Sequence, residues 1–155
     1  MREIKFRAWD KGNSKMVDVV SYEKNYETKE GRYDLAWRDA YEDENFLRYG
    51  MKIEEECEVM QWTGLKDNNG NDIYEGDIIY WEIDNGVGIE SYTAIVKWSE
   101  NLVKEGWSKA YKWLVDYIGN YYRGSYDELS TPAAYNDELQ VIGNIYENPE
   151  LMEIN

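Results

Sequence analysis

The side chains best placed to do chemistry stand in one stretch, KDNNGNDIYEGD, residues 66–77. Asp67-Asn68-Asn69-Gly70-Asn71-Asp72 offers hard oxygen ligands at alternate positions, as a calcium loop does. The match then fails. Counted from Asp67, such a loop needs Gly where Asp72 stands and a bidentate Glu where Ile78 stands. A hydrogen-bonded turn is the simpler reading, because Asp and Asn side chains satisfy nearby main-chain groups. Glu75 and Asp77 could work as an acid/base pair if their surroundings split their pKa values. The plainer alternative makes Glu75-Gly76-Asp77 a corner that leads into a strand.

Other chemistry is restricted by what the chain lacks. It has no His, which removes the usual general base near neutral pH, the commonest metal ligand and every His-containing triad. Cys57 is the single cysteine, so neither an intrachain disulfide nor a thiolate zinc site can form. Its carboxylate neighbours disfavour the thiolate. The stretch from Asp72 to Asp77 lacks the pattern of a phosphate-binding loop. No catalytic residue, cofactor site or metal ligand is assigned, and no cofactor is expected.

The formal charge is −15, with a pI near 4.4. Such a surface opposes direct nucleic-acid binding, which needs Lys and Arg against phosphate, and it opposes an anionic membrane. The charge is uneven: residues 1–60 carry a net −4 and residues 61–155 a net −11. Solubility explains it most simply. The sharper alternative is a decoy that imitates the DNA backbone before a host enzyme. It would use Asp67, Asp72, Glu75, Asp77, Glu82, Asp84 and Glu90. Seven Trp and fifteen Tyr against two Phe indicate a folded chain with aromatics suited to interfaces. Stacking on bases or sugars is open to them, but core packing and subunit contact suit this acidic chain better. The charged start, Arg2-Glu3-Ile4-Lys5, is unlike a signal peptide, and no apolar run reaches membrane-spanning length. A cytoplasmic location is expected.

These residues need elements to position them. Residues 3–9 alternate between Ile4, Phe6 and Ala8 on one face and charged residues on the other, a half-buried strand ending at Trp9. A polar turn, Asp10 to Lys15, leads to a returning strand from Met16 to Val20. Residues 21–58 scatter aromatics among charges. Trp37, Ala40, Tyr41 and Glu44 have helical spacing, yet the segment reads equally well as an excursion between strands. Strands are predicted over 59–65 and 73–81, joined by the Asn69-Gly70 turn. Asn85-Gly86 signals a hairpin. Residues 92–98 are apolar on both faces and so should be central. Further strands are expected over 113–118 and 139–145, with Thr131-Pro132 breaking the polar stretch between them. Gly143 marks a bulge or a close backbone approach. Asn148 and Pro149 suit the N-cap and first position of a helix one or two turns long.

Three segments, MREIKFRAWD at the start, MQWTGLKDNNGNDIYEGDII in the middle and VIGNIYENPELM at the end, resemble the YopX family of phage and prophage proteins. The resemblance implies a β-rich cytoplasmic protein of phage origin, a homo-oligomer with no known enzymatic activity. Trp9, Thr63, Gly64, Leu65, Gly70, Tyr74, Glu75, Gly76, Asp77, Gly143, Asn144, Tyr146, Asn148 and Pro149 carry the family pattern, and a structural role is expected of them. The fold expected is mainly β, of small barrel-like or orthogonally packed antiparallel sheets with a few short helices. One domain spans 1–155: a hairpin at 1–20, a variable insertion at 21–58, a β body at 59–147 and a tail at 148–155. The function expected is that of a non-enzymatic accessory module that contacts itself and, in addition, a host or phage protein. The decoy and a carboxylate-dependent hydrolase are the alternatives.

Overall fold

In the computed structural model, residues 3–24, 33–38, 47–99, 112–119, 122–133 and 138–153 are described. The alternation of the opening segment becomes β1 (Phe6–Asp10), in which Ala8 and Asp10 are buried. A tight turn joins it to β2 (Lys15–Lys24), with Ala8 opposite Val17. On its other side β1 pairs with β5 (Cys57–Lys66), with Ala8 opposite Val59 and Asp10 opposite Cys57. Between them in sequence, β3 (Tyr33–Arg38) and β4 (Leu47–Lys52) extend the sheet outward. With β6 (Asp72–Tyr74) the strand order is β4-β3-β2-β1-β5-β6.

The second sheet holds β7 (Asp77–Asp84), β8 (Ile89–Ser99), β9 (Lys112–Tyr117), β10 (Tyr126–Glu128) and β11 (Gln140–Asn144). Its order is β10-β9-β8-β7-β11. Every pair of strands with a described register is antiparallel. The short helix α1 (Ser130–Ala133) follows β10, and a 3₁₀ turn, Pro149–Glu153, follows β11. Pro132 sits inside α1, where the first turn leaves its missing N–H without consequence.

The chain divides into two compact units, residues 1–62 and 63–155, and the division falls inside β5. The first unit buries Ala8, Val17, Leu35, Met51 and Cys57, with Trp37 and Val59 packed against them. The second buries both faces of its sheet. Ile79, Trp81, Ala94, Val96, Val115 and Tyr117 pack with Ile73, Leu129 and Leu139. Ile78, Ile95 and Ile118 form a separate cluster with Ile145, Leu151 and Met152. Each Val, Leu or Ile among them contributes about 1.5–3 kcal/mol when fully removed from water. This double burial is why β8 is apolar on both faces and stands in the middle of five strands.

The mainly β, antiparallel expectation holds, and the helices among the described residues are few and short. The sheets are open and do not close into a barrel. The strand expected over 59–65 is β5, which pairs with β1 on one side and with β6 on the other. Leu35-Ala36-Trp37 belongs to strand β3, so the helical spacing does not begin there. Ala40, Tyr41 and Glu44, which complete that spacing, lie outside the described residues. The helix expected after Asn148 is a 3₁₀ turn that starts at Pro149.

Candidate functional site

The turn between β5 and β6 is organised by Asp67, which is buried. Its Oδ1 accepts the N–H groups of Asn69 at 2.9 Å and Asn71 at 2.8 Å. Its Oδ2 accepts Asn71 Nδ2 at 3.0 Å and the N–H of Val141 at 3.1 Å. Burial pushes the carboxyl pKa up. The hydrogen bonds from Asn71, Val141 and Asn69 outweigh burial and hold the pKa below its ordinary value. Gly70 adopts φ +84° and donates its N–H to the Asp67 carbonyl at 3.0 Å. Lys66 clamps Asp72 at 2.6 Å. Four donors already occupy the Asp67 carboxylate, so the calcium-like spacing serves a turn.

A second carboxylate closes the next corner. Asp77 is fully buried, and its Oδ2 accepts the N–H of Tyr74 at 2.7 Å. Gly76, at φ +79°, donates to the carbonyl of Val96 at 2.8 Å and accepts from the N–H of Ile145 at 3.0 Å. Glu75, between Tyr74 and Gly76 in this corner, is half-buried. Thr63 donates its hydroxyl to the Ile73 carbonyl at 2.8 Å and accepts the N–H of Leu65 at 3.1 Å. Gly64, between them, has φ +90°.

The closing motif meets this corner. In the β7–β11 ladder Asn144 stands opposite Asp77 and Gly143 opposite Ile78, with a register shift beside Gly143. Asn144 is buried, and its Oδ1 accepts the N–H groups of Tyr146 at 3.0 Å and Glu147 at 2.9 Å. Asn148 Oδ1 accepts the N–H of Asn144 at 3.3 Å, and the Asn148 carbonyl accepts the N–H of Leu151 at 3.1 Å as the Pro149 turn begins. A Cβ on Gly143 would lie 2.5 Å from Asn148 Oδ1. The structure therefore brings the middle and closing motifs together. Trp9 lies in the other unit, half-buried in β1 opposite Glu58 and Met16.

Sequence reasoning missed Asp10 as a turn organiser. It is buried, and its carboxylate accepts the N–H groups of Gly12 at 2.9 Å and Asn13 at 3.0 Å and the side chain of Asn13 at 2.8 Å. The signal was an Asp two residues before Gly12-Asn13, the same device as Asp67. Also missed were pairs in which a tyrosine hydroxyl donates to a carboxylate. Tyr92 donates to Glu90 at 2.6 Å and Tyr117 to Asp127 at 2.9 Å; Tyr80 donates to Glu82. The Glu90 hydrogen bond, followed by burial, raises the Tyr92 pKa to about 12. Burial and then Asp127 raise that of Tyr117 further. The period-two placement of Tyr80 with Glu82 and of Glu90 with Tyr92 was the available signal.

A groove of about 530 Å³ opens in the N-terminal unit, with Trp37, Tyr49, Met51, Lys11, Glu55 and Glu56 among its walls. Its charged groups are occupied. Lys11 holds the Glu54 carbonyl at 2.7 Å and Glu58 at 2.6 Å, and Glu56 accepts the N–H of Lys52 at 2.9 Å. Neither Glu75 nor Asp77 lines it. Cys57, at the start of β5, is fully buried. Burial and then the charge of Glu58 push its thiol pKa up to about 11. Among the described residues no group of three or more carboxylates or cysteines could hold a metal ion, and no helix is long and apolar enough to cross a membrane.

Comparison with known proteins agrees with this architecture. The chain is similar to the crystal structure of protein EF1440 from Enterococcus faecalis, with a TM-score of 0.55 and 22% identity over 98% of this chain and 99% of that one. It is also similar to the crystal structure of protein yopX from Bacillus subtilis, with a TM-score of 0.53 and 19% identity over 96% of this chain and 95% of that one. At such identities the likeness concerns the fold. No curated protein matches. The family model described as YopX protein matches residues 5–153, nearly the whole length, and the chain accordingly belongs to the YopX family.

Proposed function

We propose that this chain is a non-enzymatic accessory protein of phage or prophage origin, acting in the cytoplasm through protein contacts and as a homo-oligomer. One observation carries the non-enzymatic part. The buried polar side chains described, Asp10, Thr63, Asp67, Asp77 and Asn144, all hold main-chain groups of turns and corners. Buried carboxylates of an active site would instead converge on a cavity with their pKa values pushed apart. A hydrolase built on Glu75 and Asp77 is disfavoured on the same ground, since Asp77 is enclosed and caps Tyr74. A DNA-backbone decoy is disfavoured because Asp67 and Asp77 are buried and Asp72 is paired with Lys66.

Self-association is supported by aromatics left on the surface. Tyr49 is 73% exposed and Tyr122 48% exposed, each in a segment rich in Trp and Tyr. Such side chains favour interfaces because a large apolar body carries a polar tip. Light scattering coupled to size exclusion tests this part. A mass above that of one chain is expected at micromolar concentration. A monomer throughout that range would remove the homo-oligomer from the proposal.

A further inference from the structure

The hairpin between β7 and β8 ends in a four-residue loop, Asn85 to Gly88, beyond the Asp84–Ile89 pair. Such a loop is expected to be polar, yet Val87 is 97% exposed and Ile89 69% exposed. The loop is also tightly specified. Asn85 Oδ1 accepts the N–H groups of Val87 at 2.9 Å and Gly88 at 3.0 Å. Asp84 Oδ1 accepts the N–H of Gly86 at 2.8 Å, and Gly86 supplies the φ of +79° that the bend requires. Asn85 Nδ2 reaches Glu90 at 3.0 Å, which ties the loop to the strand that follows. Two aliphatic side chains are thus presented to water by a pre-ordered tip. Pre-ordering removes much of the entropy that a docking loop otherwise loses on binding.

The charge around the tip defines what it suits. Between Lys66 and Lys97 the chain has no Lys or Arg. Asp84 and Glu90 flank the aliphatics and are exposed, with Glu82 one step further along β7. A second copy offering the same tip would set carboxylates against carboxylates. An anionic membrane surface would meet the same repulsion. We propose that the β7–β8 tip is a docking finger for another protein. Val87 and Ile89 enter an apolar cleft or stripe, and Lys or Arg side chains bordering that cleft meet Asp84 and Glu90. Charge complementarity of this kind speeds encounter and rejects wrong partners, while the buried aliphatics supply affinity.

The inference rests on the reading of the chain as an interaction module, but not on self-association. Light scattering tests the oligomer and the following titration tests the tip, so the two can fail separately. The probe is a synthetic amphipathic helical peptide of leucine and lysine, labelled for fluorescence anisotropy, titrated with the full chain. A leucine–glutamate counterpart and phosphatidylcholine vesicles serve as comparisons. The lysine peptide is expected to bind, to bind more weakly as salt rises, and to bind at least tenfold more weakly to the variant Val87→Ser with Ile89→Ser. Both positions are exposed, so the unfolding midpoint should not move; Val87→Ala with Ile89→Ala is the milder second variant. Absence of binding, equal binding to wild type and both variants, equal binding of the glutamate peptide, or capture by the vesicles would each overturn the proposal.

Discussion

Asp67 Oδ2 accepts the main-chain N–H of Val141 at 3.1 Å, across a sequence separation of 74 residues. The neighbouring Asn68 N–H adds a second tie, to the Leu139 carbonyl at 2.9 Å. A turn that looks local is therefore also the anchor of the last strand.

Replacing Asp67 with Ala leaves the N–H groups of Asn69, Asn71 and Val141 without that acceptor. A loss of about 1–3 kcal/mol is expected from removing hydrogen bonds to a charged acceptor. Urea unfolding should show a lower midpoint with an unchanged slope. The pH dependence has a definite sign. The folded pKa lies below the unfolded value, so this carboxylate's stabilisation is complete above about pH 4, the ordinary range. It fades as pH falls through the lower folded value. Asp67→Asn should flatten that part of the acid-unfolding profile, and an unaltered profile would remove Asp67 from the account.

Gly143→Ala places a methyl group where Asn148 stands, 2.5 Å from its Oδ1. Asn148 must move, and its hydrogen bond to the N–H of Asn144 is disturbed with it. A destabilisation of about 1–3 kcal/mol is expected for such overpacking. The obstacle is one side chain, so Gly143→Ala should cost less when Asn148 is already Ala. Strict additivity in this double-mutant cycle would show that the contact is not the cause.

Cys57 should be silent toward Ellman's reagent in the native protein at pH 8. Its thiol pKa of about 11 leaves roughly one thiolate in a thousand, and the side chain is buried. Labelling should follow opening of the N-terminal unit and speed up in urea. Fast labelling without denaturant would contradict the burial.

Restriction digestion of plasmid DNA should proceed normally in a molar excess of the purified protein. Two of the seven carboxylates that a decoy would array are buried, and a third is held by Lys66. Protection that weakens as salt rises would bring the decoy back, since an imitated phosphate contact is ionic.

Much of this fold could be read directly. β8 was recognisable as a central strand because Tyr92 to Trp98 is apolar on both faces, and the second unit buries both. Asn69-Gly70 and Asn85-Gly86 marked bends because few other residues accept the positive φ of Gly70 and Gly86, while Gly143 marked a close approach, to Asn148. β3 and β4 were not legible, because their aromatics stand among charges and no clean period emerges. The pairing of β5 with β1 joins segments some fifty positions apart, and only tertiary packing sets that register. At the site, the Asx turn of Asp67 followed from residue types, whereas its tie to Val141 did not. Val87 and Ile89 gave no warning, since hydropathy places aliphatic residues inside.

The division of the chain within β5 carries an implication for length variation. Elsewhere, as between β1 and β2 or β7 and β8, strands are joined through turns, which absorb added residues. At Trp62–Thr63 the join is a continuous extended segment with no slack. One inserted residue there would exchange inward and outward side chains for everything on one side of it, whereas two would preserve the alternation. Tolerance at this point should therefore go by parity: an odd insertion should destabilise more than an even one of greater length. The reverse order in thermal unfolding would mean that the strand can slip.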